Sequence, residues 1–185
     1  MRTRITLLSL AIGAALASQA ATAAYADRNK LTEAEVLAAQ QAWGEALIQI
    51  SQDYSMGGIE RARATAEATL NAAYAFNHGT VLFNPTLTSG ETTFRLTHEG
   101  ALAYFIGGSY SYPDSGFALK GWESFDIQNA GVLINGDMAI TMGHVMLTDA
   151  EGNTTKVDKT WGFQRFDDGD LRIVLHHSSL PFEGS

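Results

Sequence analysis

The sequence between residues 124 and 179 consists of four strand patterns in succession: "SFDIQNAGVLI" (124–134), "DMAITMGHVMLT" (137–148), "TTKVDKTWGFQRF" (154–166) and "LRIVLHHSS" (171–179). All four are rich in β-branched and aromatic residues, a composition typical of strands. The connections are short and carry turn residues: Asn135-Gly136, "DAEGN" (149–153) and Asp167-Asp168-Gly169. Four consecutive strands joined by tight turns predict an antiparallel meander.

Helical patterns precede the strands. "LTEAEVLAAQQAWGEALIQISQDY" (31–54) opens with Thr32 and Glu35, which form a capping box, and continues with apolar residues at helical spacing. "GGIERARATAEATLNAAYAFNHG" (57–79) is alanine-rich and lies between glycines, and "RLTHEGALAYFIGG" (95–108) offers Thr97 as a cap. Helices followed by a curled sheet predict one α+β domain with a pocket at the open end of the sheet.

The N-terminal segment has the three parts of a secretory signal. Arg2 and Arg4 precede an uncharged apolar run over 5–17, and small residues of the A-x-A kind follow it. Cleavage fits after any of four residues: Ala20, Ala23, Ala24 or Ala26. The run is too short to span a bilayer comfortably. We therefore expect residues 1–24 to be removed, residues 25–185 to form the domain, and the product to be periplasmic or secreted without membrane insertion.

The composition excludes several classes of function. The chain has 185 residues, of which 45% are hydrophobic and 17% charged, a balance that can bury a core. Its net charge of −8 argues against nucleic acid or an anionic membrane as a partner, since both require a basic surface. Because the chain has no cysteine, a thiolate metal site and a cysteine nucleophile are excluded.

The last strand ends in four polar residues. In a regular strand, Ile173, Leu175, His177 and Ser179 share one face, whereas Arg172, Val174, His176 and Ser178 share the other. The two histidines then point apart, which makes them poor joint ligands for one metal. Because Ile173 and Leu175 are apolar, their face is expected to enter the interior, with His177 and Ser179 as the wall of a pocket.

The C-terminal half, "AGVLINGDMAITMGHVMLTDAEGNTTKVDKTWGFQRFDDGDLRIVLHHSSLPF" (130–182), resembles the association domain of calcium/calmodulin-dependent kinase II and its bacterial relatives. These are cone-shaped α+β folds of the nuclear-transport-factor superfamily. With "LFNPTLT" (82–88), "FRLTHEGALAYFIGG" (94–108) and "DSGFALKGW" (114–122), the terminal "HHSSLP" resembles the iota class of carbonic anhydrases. The resemblance extends over the whole mature chain. It implies reversible hydration of carbon dioxide to bicarbonate, and it implies a homodimer.

The resemblance also implies site residues. The bicarbonate-contacting groups of the class fall on Thr86, Tyr104, His177 and Ser179, with Thr88 as an alternative to Thr86. Their hydroxyls would orient water and stabilise charge on the carbon dioxide oxygens, and His177 would accept or relay the proton. Each residue also has a structural interpretation: Thr86 in a turn, Tyr104 in core packing, and His177 with Ser179 as a polar cap on the sheet.

A metal-free site is the expectation for the cofactor. The histidines show no tight metal-ligand spacing such as H-x-H. Zinc is the alternative, because most carbonic anhydrases use it, and His98 and His144 would then join His177 as ligands.

Two other classes of function compete with the enzyme. A binding or oligomerisation module of the same fold would have a pocket without turnover. An isomerase or hydratase of another kind would place a carboxylate base in a large apolar cavity, for which Asp126 and Glu123 are the candidates.

Overall fold

The structure is a computed structural model that describes residues 30–184. The predicted leader lies outside the described residues, and so does the question of where it is cleaved. Among the described helices, none is long and apolar enough to cross a membrane.

The first helix, α1 (Glu33–Ala73), joins the two predicted helical patterns. It begins with the predicted capping box, in which Glu35 accepts a hydrogen bond from the Thr32 amide at 2.9 Å. It breaks at Gly58, whose φ of 71° lies in the left-handed region that glycine adopts readily. The glycine pair therefore marks a break inside one element rather than a separate connection.

A buried carboxylate ties the two halves of α1 together. Asp53 Oδ1 lies 2.7 Å from Arg61 Nε, and its Oδ2 accepts a hydrogen bond from the Thr65 hydroxyl at 2.6 Å. These hydrogen bonds lower the pKa of Asp53. Because Asp53 precedes the break and its partners follow it, the ion pair fixes the angle between the halves.

The second helix, α2 (His98–Ile106), starts at Thr97, whose hydroxyl accepts the Gly100 amide at 3.1 Å, and ends at Gly107 with a φ of 67°. Both ends agree with the predicted cap and stop. Three short 3₁₀ segments occupy the connections: Ala75–Asn77, Gly90–Thr92 and Phe117–Leu119.

The sheet has five strands: β1 (Leu82–Asn84), β2 (Trp122–Asn135), β3 (Met138–Asp149), β4 (Thr154–Arg165) and β5 (Leu171–Ser179). Their order is β1-β5-β4-β3-β2. The predicted meander β2 to β5 is confirmed, with each hairpin at its predicted turn. The short β1, which pairs parallel with β5, was not predicted as a strand.

The helices cover one face of this curved, unclosed sheet, so the α+β prediction is confirmed. The contact between α1 and the sheet is close: a Cβ built on Gly44 would lie 2.3 Å from the Phe125 ring. The core between the layers includes Trp43 from α1 and Trp161 from β4, whose rings meet edge to face at 5.3 Å. His176, near the end of β5, also lies in this core, with its ring centre 5.7 Å from that of Trp43.

Candidate active site

A bulge in β5 decides which polar residues enter the interior. Gly162 of β4 pairs with Leu175, but the next residue, Phe163, pairs with Ile173, so Val174 has no partner across the ladder. An extra residue in one strand reverses the alternation of side chains beyond it. As a result, Ile173 is buried on the inner face, and His176 and Ser178 follow it there.

The expectation that His177 and Ser179 point inward is therefore wrong. His176 is 2% exposed and Ser178 is 3% exposed, whereas His177 and Ser179 are only partly buried. His177 lines an apolar groove on the outer face of the sheet. Strict alternation does not hold along β5 because the bulge lies at Val174. A sequence signal for the bulge exists, because an isolated glycine inside a strand, here Gly162, often marks one.

Thr86 lies beside Ser178 because of the parallel pairing of β1. Asn84 at the end of β1 pairs with His177, and the chain then passes Pro85 and brings Thr86 to the inner face. The hydroxyl oxygens of Thr86 and Ser178 are in hydrogen-bond contact. Thr88, the alternative to Thr86, donates instead to the carbonyls of its own loop, at 3.1 Å each.

Tyr104 presents to the same region a hydroxyl that completes no hydrogen bond within the described part of the chain. Its ring stacks on Phe117 at 5.2 Å and leaves the residue 3% exposed. Burial raises the pKa of the phenol, and nearby groups of Thr86 and Leu87 offset part of that rise. None of these groups completes a hydrogen bond of normal geometry with the hydroxyl. Since buried polar groups in folded proteins are nearly always paired, this free hydroxyl suits a ligand.

A small polar cavity opens onto Tyr104. Its volume is about 170 Å³, and its wall includes Thr88 and Lys120. Arg95 and Asp114 form another part of the wall through a two-point ion pair, with Nη1 to Oδ2 at 2.6 Å and Nη2 to Oδ1 at 3.2 Å. Because Arg95 is 1% exposed, this pair holds the cavity rim in place. A cavity of this size admits a small polar molecule.

Deeper in the core, four side chains form a polar chain around His176. The Trp43 indole donates to the Tyr74 hydroxyl at 2.9 Å, and that hydroxyl lies 2.8 Å from His176 Nδ1. His176 Nε2 contacts the Lys159 amine. Burial lowers the pKa of both His176 and Lys159 well below their ordinary values, and it raises the pKa of Tyr74.

Sequence reasoning missed His176, Ser178, Tyr74 and Lys159. A signal for Lys159 was available, because it alternates with Val157 and Trp161 on the apolar face of its strand. An inward lysine among apolar residues is unusual enough to mark a functional position.

The residues of the competing hypotheses lie apart from this site. Within residues 30–184, no group of three or more histidines and carboxylates could hold a metal ion. His144 Nδ1 lies 2.9 Å from Asp158 Oδ1, and the ring of His98 packs edge-on against Phe76. Asp126 and Glu123 are exposed on β2, so neither is the buried base that an isomerase needs.

Comparison with known proteins gives the family. The family model for metal-independent carbonic anhydrases matches residues 34–180. The chain belongs to this family. A curated metal-independent carbonic anhydrase from Nostoc sp. (strain PCC 7120 / SAG 25.82 / UTEX 2576) is 53% identical over 83% of this chain and 75% of its own length. The family match confirms the expected class of enzyme and its metal-free description.

Solved structures of similar chains agree with the fold. The iota-carbonic anhydrase of a cyanobacterium, crystallised with bicarbonate, is 52% identical, with a TM-score of 0.83 over 84% of this chain and 96% of its own. A calcium/calmodulin-dependent kinase II association domain from Xanthomonas campestris is 22% identical, with a TM-score of 0.50 over 84% of this chain and 96% of its own. This second likeness confirms the fold that the sequence predicted. This member of the metal-independent carbonic anhydrase family therefore has helices packed on a curved, unclosed sheet.

Proposed function

We propose that the protein interconverts carbon dioxide and bicarbonate at the hydroxyl site of Thr86, Tyr104 and Ser178. The observation that carries the proposal is the buried hydroxyl of Tyr104, which completes no hydrogen bond within residues 30–184 and adjoins Thr86, the partner of Ser178. Tyr104 also lines the small polar cavity. Bicarbonate has three oxygens in a plane, and a ring of hydroxyls can satisfy them together.

The three hydroxyls supply what the chemistry requires. As water attacks carbon dioxide, negative charge develops on the substrate oxygens, and donors already aimed at those oxygens stabilise it without reorganisation. Tyr104 keeps its proton at neutral pH because burial raises its pKa, so it acts as a donor. Thr86 and Ser178 can each donate and accept, which lets them orient the attacking water.

In this proposal His176 and Ser178 take the roles that the sequence had given to His177 and Ser179. Support comes from burial: the first residue of each pair lies inside with Tyr74 and Thr86, and the second lies on the outer face. Tyr104 and Thr86 keep the roles that the resemblance implied.

Stopped-flow carbon dioxide hydration tests the function. We expect activity in chelated protein whose metal content has been measured, because the proposed groups are all side-chain hydroxyls. Ser178→Ala should lower kcat/KM by about 10²-fold, the typical effect of removing one such donor, and Ser179→Ala serves as the matched variant. If Ser179→Ala is the more damaging, the outer face holds the site. If wild-type protein shows no hydration above buffer, the binding-module hypothesis is the better account.

We also propose that two copies pair through the outer face of the sheet. The support is an apolar groove of about 580 Å³ on that face, lined by Leu82, Phe94, Leu96 and Leu175 together with His177. Phe94 is 65% exposed and Leu82 is 55% exposed. Exposed apolar area of this extent is typical of surfaces that a partner covers, and a second copy is the partner that the resemblance implies.

Export to the periplasm or the medium is the remaining part of the proposal. It rests on the charged, apolar and small-residue parts of segment 1–24. N-terminal sequencing of protein recovered from outside the cytoplasm should begin between residues 21 and 27. Recovery of the intact N-terminus from the cytoplasm would contradict it.

A further inference from the structure

Lys159 is a buried lysine without a carboxylate partner in the part of the chain that the structure describes. The residue is 3% exposed, and its Nζ lies 4.6 Å from the ring centre of Trp43 and 4.9 Å from that of Trp161. A lysine is almost never fully buried unless its charge is compensated. The burial of Lys159 therefore indicates a functional role for this side chain.

The hydrogen bonds around His176 determine where the protons lie. Trp43 Nε1 can only donate, and it donates to the Tyr74 oxygen. The remaining contact of the Tyr74 hydroxyl is His176 Nδ1, so its own proton is satisfied only if Nδ1 accepts. A neutral imidazole that accepts at Nδ1 carries its proton on Nε2.

Nε2 faces the amine of Lys159, and an N–H group there needs an acceptor. An ammonium group has three donors and no acceptor, whereas an uncharged amine has a lone pair. A charged Lys159 would force the ring proton onto Nδ1 and leave the Tyr74 hydroxyl without an acceptor in the core. The attraction of a cation to the two indole rings favours the charged form, but by less than the burial of an unpaired ion costs.

We propose that Lys159 is an uncharged amine that accepts the Nε2–H hydrogen bond of His176, and that the two side chains form one buried unit that takes up the proton released in carbon dioxide hydration. This role rests on the proposed function. Both ring nitrogens of His176 are already engaged by protein groups, so the histidine does not act alone. The proton that leaves the attacking water as its O–C bond forms converts the neutral pair to its singly protonated form and is then lost to solvent.

The position of Lys159 fits this role. It pairs with Ser178 across β4 and β5, and directly opposed residues place their Cβ atoms about 4.5–5.5 Å apart on the same face. The unit therefore adjoins the hydroxyl that orients the water. The amine faces Trp43 from α1, Trp161 on its own strand, and His176 with Ser178 from β5. Gly143 is its pairing partner on β3, and Tyr74 and His177 act on it through His176.

Nitrogen-15 NMR of the wild-type protein at pH 8 tests the proposal without any variant. Lys159 should give an amine signal rather than an ammonium signal. His176 should show the Nε2–H tautomer. Loss of one lysine signal in Lys159→Met assigns it. An ammonium signal for Lys159 together with an Nδ1–H ring would overturn the proposal.

The pH dependence of kcat/KM supplies the catalytic readout. Lys159→Met removes the acceptor and keeps an apolar stem between the indoles, and it should move the acid limb of the profile to lower pH by a unit or more because the stronger base is gone. Lys159→Arg, which cannot become neutral, should be at least as damaging at every pH. A uniform loss in the Met variant with an unmoved profile would mean that Lys159 only packs. An inactive wild type would contradict the proposed function and the proton-uptake role. The NMR result would then still decide whether Lys159 is uncharged and bonded to His176.

Discussion

At the scale of single residues, Tyr104 separates function from stability. Its hydroxyl completes no hydrogen bond of normal geometry within residues 30–184, so Tyr104→Phe removes a group that costs free energy to bury unpaired. We expect the thermal midpoint to stay constant or rise while kcat/KM for carbon dioxide hydration falls by about 10²-fold. Unfolding by calorimetry and stopped-flow rates on the same sample check both parts.

Tyr74→Phe is the matched control for that substitution. The Tyr74 hydroxyl accepts from Trp43 and contacts His176, so its loss leaves buried partners unsatisfied. It should destabilise the protein by about 1–3 kcal/mol. If the two variants were equally destabilised, the hydroxyl of Tyr104 would have a structural partner and the site assignment would weaken.

The buried imidazole of His176 predicts a pH dependence of stability. Its pKa in the folded state is lowered by burial, whereas in the unfolded chain it titrates near the usual value of about 6.5. As the pH falls below that value, the unfolded state binds a proton that the folded state does not, so the free energy of unfolding decreases, with a limiting slope of about 1.4 kcal/mol per pH unit.

Denaturant titrations between pH 8 and pH 5 measure this slope. His176→Asn removes the buried imidazole and should flatten the curve relative to wild type, whatever it does to absolute stability. An equal slope in wild type and His176→Asn would show that His176 titrates alike in the folded and unfolded chain, and would contradict the prediction.

At the scale of elements, the β5 bulge depends on Gly162. A Cβ at this position would lie 2.9 Å from the Cβ of Leu175, closer than side chains approach. Gly162→Ala should therefore lower stability by about 1–3 kcal/mol, as overpacking does. Because it forces β4 and β5 apart beside the bulge, hydration activity should fall as well.

Gly131→Ala is the control for this substitution, because Gly131 is also a strand glycine beside a register shift and has open space where its Cβ would stand. Chemical denaturation of both variants should show a loss only at Gly162. A neutral Gly162→Ala would mean that the strand can close over a methyl group and that the bulge does not require glycine.

Much of the element structure was predictable from local patterns. The capping box at Thr32, the cap at Thr97 and the three hairpin turns all lie where their signals predict, because each depends on residues close in sequence. The strand β1 is not predicted because it pairs with β5, which lies far along the chain. The β5 bulge depends on the register against β4, for which Gly162 is the local signal. Because of this bulge, His177 and Ser179 lie on the outer face rather than on the inner face that alternation predicts. Thr86 and Tyr104 lie on other elements, so the bulge does not change their positions.

At the scale of the whole molecule, the exposed outer face of the sheet predicts self-association. Phe94→Asp places a charge in the apolar groove beside Leu82 and should shift the protein from dimer to monomer in light scattering after gel filtration. Met56→Asp is the control, since Met56 is 63% exposed but lies on α1. A monomeric wild type, or a dimer that survives the Phe94 substitution, would contradict pairing through this face.

At the end of β5 each polar residue type occurs twice in succession, His176 beside His177 and Ser178 beside Ser179, which makes the alignment of this strand ambiguous. If two relatives are aligned with an offset of one residue across this strand, a histidine still matches a histidine and a serine still matches a serine. Sequence identity alone therefore carries no information about which copy of each pair lies on the inner face of the sheet. A substitution assigned to the wrong copy would remove a group of the outer face and would be misread as evidence about the inner one. In this chain the hydrogen-bond register against β4, rather than the order of the residues, determines which copy is buried.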